Sequence, residues 1–502
     1  MEALKKFKHQ IIFHLIVNFA ITAFVTLPSF VHYPLAGLKG YLFYTAHFLA
    51  LQFSVFGFVY FISLNRFAFN FLFPILFTLF SVAGYWVYFH DIAISQGIIQ
   101  ISLETTPDIV VGLISWPLIT YLILSLALCL IILKLYNRWN IRQLMSPLTI
   151  LAVMAVISYF AMESYKHGAF TRRLPYNVIY AIREYADRNQ LQLKKVPLVT
   201  TEADSLNIVF ILGESARADH LELNGYHRPT NPLLLKRSNI ISFSDTFTPF
   251  TYTAQSLRQI LTDATFTDDY SQPKYSLIDV LNKAGIESNW IGNQTPEKSF
   301  EIFKDQARFS TIIDPMHSEL SFQKAYDDQL LPDFKRVFIP GKNQFTVLHM
   351  MGSHWWYETR YPETFRQFLP VVDNKHIGSN SADQMINSYD NTILYLDYFI
   401  DQTIEHIQKQ NANSLVIYLS DHGEMLGEDG MWLHAQDGRG VSNPAMLIWY
   451  SDKFKTRYPE IVEELATRST GRVNLDFVFP TIIDLYRING IGHDKTKSLI
   501  VK

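Results

Sequence analysis

The chain has 502 residues, 49% of them hydrophobic and 18% charged, with a formal net charge of −3. A balance this near neutral gives no electrostatic footprint for nucleic acid, and the length allows two or three domains. The single cysteine, Cys129, excludes a disulfide framework or a thiolate metal site in everything that follows it.

Up to about residue 163 charges are thin and apolar runs long; beyond it the two mix as in a soluble domain. A bilayer core needs about twenty mainly apolar residues per helix. Five segments supply them, at roughly 11–31, 42–64, 67–89, 112–135 and 147–163, so residues 1–163 read as a five-helix transmembrane bundle. The first segment runs on into aromatics without a small-residue cleavage site, which marks an anchor instead of a signal peptide. Cys129 lies within the fourth segment and reads as a buried structural thiol. Lys5, Lys6, Lys8, Arg66, Lys134, Arg138 and Arg142 fall in alternate loops, which therefore face the cytoplasm. An odd number of spans then puts everything after residue 163 outside it.

The third loop, "HDIAISQGIIQISLETTPDIV", is external and carries Asp91, Glu104 and Asp108. It reads either as a solvated loop or as a contact for an ammonium headgroup, with Glu104 and Asp108 as the candidate substrate-binding carboxylates. Residues 164–204 form a linker in which "LPYNVIYAIREYADRNQ" sets Val178, Ile179, Ile182 and Tyr185 on one helical face. With Arg172, Arg173 and Arg183 nearby it predicts an interfacial helix, a core helix being the alternative.

From 205 to 502 short apolar runs alternate with helical periodicity. "NIVFIL", "SNWIG", "FTVLHM" and "SLVIYLS" predict buried parallel strands. "YSLIDVLNKAG" and "ADQMINSYDNTILYLDYFIDQTIEHIQKQ" predict helices. The fold class is an α/β sheet with its chemistry at the carboxyl ends of the strands.

Those ends deliver Glu214, Asp421 and His422, and His349 with His354; His434 follows shortly after. "ILGESARADH" imitates a nucleophile elbow at Ser215, but Arg217 stands where the second glycine should be. Carboxylates and imidazoles converging from several strands describe a metal site better than a triad, and oxygen and nitrogen ligands suit zinc, with manganese also accommodated. Adjacent Asp421 and His422 reach one ion only where the strand has ended, and Gly423 permits that turn. His349, inside a strand, is as much a core imidazole as a substrate ligand.

"GESARADHLELNGYHRPTNP", "LHMMGSHWWYETRYPETF", "YDDQLLP", "NSYDNTILYLDYFI" and "LSDHGEMLGEDGMWLHA" together resemble the phosphoethanolamine transferases of Gram-negative envelopes, in the sulfatase-like branch of the alkaline phosphatase superfamily. The resemblance covers most of residues 207–450 and implies a multi-pass inner-membrane enzyme, expected to be a monomer, with its catalytic domain in the periplasm. It implies a threonine nucleophile held on zinc by Glu214, Asp421 and His422. In "FTPFTYTAQSLRQIL" that threonine is assigned to Thr251, with Thr248 and Thr253 as competitors. His354 and His434 match histidines that contact the phosphoryl group or a second metal, and Asn293 lies in a substrate-contacting segment.

The implied reaction is ping-pong transfer of phosphoethanolamine from phosphatidylethanolamine, through a phosphothreonine, to lipopolysaccharide or a periplasmic glycan. Three departures stand out: Gly292 where many relatives carry an acid, the absence of bracing cysteines, and Trp355-Trp356 in place of Gly-Pro. The tryptophans are either exposed for stacking or packed in the core. A phosphoglycerol transferase or a sulfatase-like phosphodiesterase on the same scaffold is the rival reading. The formylglycine context C/S-x-P-x-R is absent, and a non-catalytic membrane scaffold would not be expected to keep the ligands.

Overall fold

The computed structural model describes residues 2–501 apart from 96–97, 100–101, 103–114, 140, 142–145, 167, 187–190, 269–271, 296–299, 319–320 and 435. Two units divide the chain. The first comprises Met1–Arg188 with Met316–Gln323 and Asp373–Ser379, and the second comprises Asn189–Pro315, Lys324–Val372 and Asn380–Lys502.

In the first unit, α1 (Glu2–Ile21) continues through a π turn at Thr22–Thr26 and is followed by α2 (Gly37–Ser63), α3 (Arg66–His90), α4 (Trp116–Trp139) and α5 (Ser146–Tyr165). Among the described residues these give five segments long and apolar enough to cross a membrane. A helix satisfies its own backbone polar groups, which lipid cannot do. Asn65 caps α3 by accepting from the Ala68 N–H, and Pro74 sits inside that helix without ending it. Small residues let the helices close up, since apolar side chains gain little from leaving lipid. A Cβ on Gly57 of α2 would lie 2.8 Å from Ala155 Cβ on α5, and one on Gly84 of α3 would lie 2.1 Å from the Phe24 carbonyl. Phe13, Phe69 and Tyr136 form an aromatic centre in which the Phe69 and Tyr136 rings stack at 4.2 Å.

The linker contributes α6 (Tyr176–Ala186), whose Val178 and Ala181 are buried while Ile179 and Ile182 are exposed. Tyr176 Oη and Ser54 Oγ share a hydrogen bond of 2.9 Å that pins α6 to α2. Two later segments also belong here. Asp91 is buried and accepts from the backbone N–H groups of Phe322 and Gln323, so this carboxylate is spent on the chain itself instead of being held open for a headgroup. Lys375 N donates to the Pro34 carbonyl at 2.8 Å, and Lys39 Nζ to that of Gly378 at 2.7 Å. Glu104 and Asp108 lie outside the described residues.

The second unit is built on a seven-stranded sheet. Its elements in chain order are β1 (Asn207–Gly213), β2 (Ile240–Phe243), α7 (Thr253–Ile260), α8 (Leu277–Lys283), β3 (Glu287–Gly292), β4 (Phe309–Ile312), β5 (Gln344–His349), α9 (Ala382–Lys409), β6 (Ser414–Ser420) and β7 (Met446–Tyr450). The spatial order is β2-β7-β6-β1-β5-β3-β4. Strands β6, β1, β5, β3 and β4 are mutually parallel, and β7 pairs antiparallel with both β6 and β2. Every residue of β1, β5 and β6 is buried, as a sheet covered on both faces demands. Ser381 opens α9 with a capping box closed by Gln384. Register fixes the site: Leu212 pairs with His349 on one side and Leu419 on the other, so β1, β5 and β6 finish level at one edge.

Candidate metal centre

Strand β1 stops at Gly213, and Ser215 turns the chain through the left-handed region at φ 58°. Glu214 is thereby aimed across the strand end. Strand β6 stops at Ser420, and the chain then packs so tightly that a Cβ on Gly423 would lie 2.0 Å from the Gly440 carbonyl. Close approach, not a positive φ, is what requires glycine there. Asp421 and His422, released from the alternation of the strand, meet Glu214. Ligand atoms of the three all lie within 4.8 Å of one another, and the residues are at most 1% exposed.

The hydrogen bonds leave a gap in the middle of this group. His422 Nδ1 donates to the Gly423 carbonyl at 2.8 Å, which turns Nε2 towards the two carboxylates. That Nε2 lies 3.2 Å from Glu214 Oε1 and 3.4 Å from Asp421 Oδ2, yet it and Asp421 Oδ2 are buried with no hydrogen bond. Two buried carboxylates around one imidazole need positive charge between them, carried by a proton on His422 or by a cation. Two carboxylates and one imidazole suit zinc and leave a coordination position open. The charge balance agrees. Burial, reinforced by the Glu214 charge, pushes the Asp421 carboxyl up to about 7. Burial opposes charge on His422, but Asp421 and Glu214 together outweigh it and raise its pKa to about 10. In Glu214 burial is likewise outweighed, by the His422 ring first, and the carboxyl is held well below the usual range.

The hydroxyl that reaches this group belongs to Thr253: its Oγ1 donates to Glu214 Oε2 at 2.8 Å. Thr253 is the first residue of α7, whereas Thr251 precedes the helix and Thr248 donates its backbone N–H to the Ser442 carbonyl. Of the three threonines it is Thr253, and not the expected Thr251, whose hydroxyl the structure brings to Glu214. Ser215, the apparent elbow serine, donates its hydroxyl to Glu214 Oε1 at 2.8 Å and its N–H to Asp421 Oδ1 at 3.2 Å, bracing both carboxylates. Gln294, which the sequence did not single out, donates to Glu214 Oε2 at 3.3 Å.

Two further histidines stand beside the three ligands. The His434 ring lies 4.8 Å from that of His422 and 5.5 Å from that of His354. His354 Nδ1 donates to the Trp355 carbonyl at 2.6 Å, and burial lowers its pKa to about 3. Glu424, wholly buried, places Oε2 3.6 Å from His434 Nδ1. Arg217 ties the surroundings together with two bonds to Asp219, one to Glu428 and one to the Glu424 carbonyl.

Two other candidates are buried. Asn293 is fully buried and donates Nδ2 to the Ala325 carbonyl and to Asp327 Oδ1. His349 packs edge-on against Trp290 and Phe300, and burial lowers its pKa to about 3; it is a core imidazole. Trp355 and Trp356 are buried, which settles their alternatives in favour of packing.

Residues 206–488 match the sulfatase family model, and residues 52–189 match the model described as Phosphoethanolamine transferase EptA/EptB. Phosphoethanolamine transferase EptA of Escherichia coli K12 is 31% identical over 331 residues, 62% of this chain and 58% of that relative, so the chain spans less than two thirds of its length. The integral membrane protein lipooligosaccharide phosphoethanolamine transferase A from Neisseria meningitidis superposes with a TM-score of 0.57 over 96% of this chain and 95% of its own, at 24% identity, which shows a shared fold. The C-terminal periplasmic domain of EptC from Escherichia coli, in complex with zinc, superposes with a TM-score of 0.55 at 26% identity, covering 62% of this chain and 90% of its own.

Proposed function

The chain belongs to the sulfatase family, and from that premise we propose that it transfers phosphoethanolamine from phosphatidylethanolamine to a lipopolysaccharide or periplasmic glycan acceptor at the bacterial inner membrane. The observation that carries this reading is the Thr253 hydroxyl seated on Glu214 inside the buried ligand cluster. Relatives named as phosphoethanolamine transferases support the transferred group, and the donor lipid and the acceptor are part of the proposal.

Glu214, Asp421 and His422 would hold zinc, whose positive charge would favour the deprotonated threonine hydroxyl. Thr253 Oγ1 releases its proton to solvent and attacks phosphorus. The bond from phosphorus to the diacylglycerol oxygen breaks, and that oxygen takes a proton from His434. An acceptor hydroxyl then gives its proton to His434 and attacks the same phosphorus, and Thr253 departs and regains a proton from solvent. First-turn N–H groups of α7 face the charge that develops on the phosphoryl oxygens. His354 is neutral with its proton on Nδ1, so it enters as an acceptor at Nε2 and leaves the acid role to His434.

The test is intact mass of the zinc-loaded full chain after incubation with phosphatidylethanolamine. A phosphoethanolamine adduct on Thr253 is expected, with Thr253→Ala losing transfer on the order of 10⁴-fold and Thr251→Ala keeping most of it. An adduct on Thr251 or Ser215 overturns the assignment.

A further inference from the structure

Glu424 is wholly buried, yet neither of its oxygens makes a hydrogen bond. Asp327, buried to a similar degree, shows the ordinary arrangement: it accepts from Asn293 Nδ2, Met351 N and Gly352 N. A carboxylate taken out of water without donors is unfavourable, so its position needs a reason. The group facing it is an imidazole. Glu424 Oε2 lies 3.6 Å from His434 Nδ1, which is buried and makes no hydrogen bond either. The Tyr357 hydroxyl, buried too, stands beside Glu424, and burial and then the Glu424 charge push its phenol up, so it remains a donor.

The local fold makes this pair. Met425–Leu426 and Trp432–Leu433 form an antiparallel hairpin in which Leu433 pairs with Met425, so the next residues outward are Glu424 and His434, opposite each other. Gly427 at φ 110° and Gly430 at φ 73° turn the chain between the strands. Leu433 is itself left-handed at φ 71°, a conformation that a bulky side chain keeps only where its surroundings enforce it. Arg217 fixes both ends of the hairpin, donating to the Glu424 carbonyl at 3.1 Å and to Glu428 Oε1 at 2.6 Å.

We propose that Glu424 is the positioning residue for His434: it accepts the Nδ1 proton of the imidazole and so turns Nε2 to the reacting oxygen, with Tyr357 as its second donor. The role rests on the transfer chemistry above, in which His434 gives a proton to the diacylglycerol oxygen and later takes one from the acceptor. A ring that does both must exchange protons at one nitrogen, and a carboxylate at the other nitrogen fixes which. Before the donor is cleaved the ring carries a proton on each nitrogen. Nε2 gives its proton to the oxygen leaving phosphorus, while Nδ1 keeps its own against Glu424. The acceptor hydroxyl then returns a proton to Nε2 as its oxygen bonds to phosphorus and Thr253 leaves. Glu424 accepts a hydrogen bond in both steps and takes no proton itself.

The experiment compares two donors on the zinc-loaded full chain in detergent. The diacylglycerol oxygen of phosphatidylethanolamine must be protonated as it leaves, whereas p-nitrophenyl phosphoethanolamine releases nitrophenolate without a proton. Glu424→Gln is expected to lower kcat for the lipid about 10²- to 10⁴-fold, with KM and zinc stoichiometry near those of the parent. Release of nitrophenolate in the first turnover is expected to be nearly unchanged. His434→Gln should show the same split, and the double variant should be no slower than either alone. Equal losses on both donors overturn the proposal, because a carboxylate that only supports the fold slows both. A second readout needs neither turnover nor a folded variant at position 424: the nitrogen chemical shifts of isotope-labelled histidine in the parent at alkaline pH, with His434 identified by its loss in His434→Gln. The Nδ1–H tautomer is expected, and the Nε2–H tautomer overturns the proposal. A parent that takes phosphoethanolamine from neither donor overturns the transfer reading instead, and the tautomer then decides the pairing by itself.

Discussion

Asp327 shows what a single buried carboxylate can organise. It accepts from Asn293 Nδ2, from Met351 N at 2.8 Å and from Gly352 N at 2.9 Å, and so fixes the chain that leaves β5 towards His354. Burial pushes its pKa up against these donors, so the loss of one donor is felt in full. Asn293→Ala is expected to cost about 1–3 kcal/mol of stability, read as a lower unfolding midpoint, with zinc stoichiometry unchanged. A variant as stable as the parent removes Asn293 from this role. At the same scale the sequence revealed Glu214, Asp421 and His422 because each follows an apolar run, a local signal. It did not separate Thr251 from Thr253, since the difference lies in where α7 begins, and helix ends are set by one or two residues of backbone geometry. Asn293 and His349 looked functional for a related reason: polarity is visible in a sequence, but the partner that consumes it is not.

Elements that carry their own pattern were legible. Strands β1 and β6 stand out as apolar runs because both faces are buried, β3 and β5 carry shorter ones, and α9 shows its helical period over 28 residues. Strand β7 is an equally apolar run, but nothing local marks that it and the short β2 pair antiparallel at one side of the sheet. Met316–Gln323 joins the first unit through N–H groups donated to the Asp91 carboxylate and Asp373–Ser379 through the Lys375 N–H on the Pro34 carbonyl, and no periodicity marks either segment. The approach of α3 to the chain after α1 depends on one missing side chain, because a Cβ on Gly84 would lie 2.1 Å from the Phe24 carbonyl. Tyr121 Oη donates to the same carbonyl at 3.0 Å and would be displaced with it. Gly84→Val is therefore expected to lower the thermal stability of the full chain in detergent by about 1–3 kcal/mol or more. Gly492→Ala, at a position with open space and no positive φ, serves as a comparison that leaves helix packing alone. Equal melting of Gly84→Val and the parent means that the contact is not tight in solution.

At the scale of the whole molecule, the buried ligand cluster makes folding, metal and pH one problem. Without an ion, Asp421 holds a proton up to about pH 7 and His422 up to about pH 10, both above their unfolded values. Below about pH 6.5 the buried His349 and His354, lowered to about 3, bind fewer protons than in the unfolded chain and offset the Asp421 proton, so it is between about pH 7 and pH 10 that the extra proton on His422 makes the metal-free native state less stable as pH rises. Zinc reverses the trend, because ligands must release their protons to bind it, at a cost of about tenfold in affinity per proton displaced for each unit of pH below the group's own value. The stabilisation zinc confers, about 4 kcal/mol at a thousandfold excess over its dissociation constant, is therefore largest above pH 7 and shrinks as Asp421 takes up its proton. Melting of the full chain with zinc and with a chelator is expected to differ more at pH 8 than at pH 5.5, with the chelated protein becoming less stable from pH 7 to pH 9. A zinc increment that is equal at the two pH values, or larger at the acidic one, shows that the ion does not sit among Glu214, Asp421 and His422. Loss of the increment in Asp421→Asn, with Asn293→Ala retaining it, separates the ligand cluster from the frame that carries it.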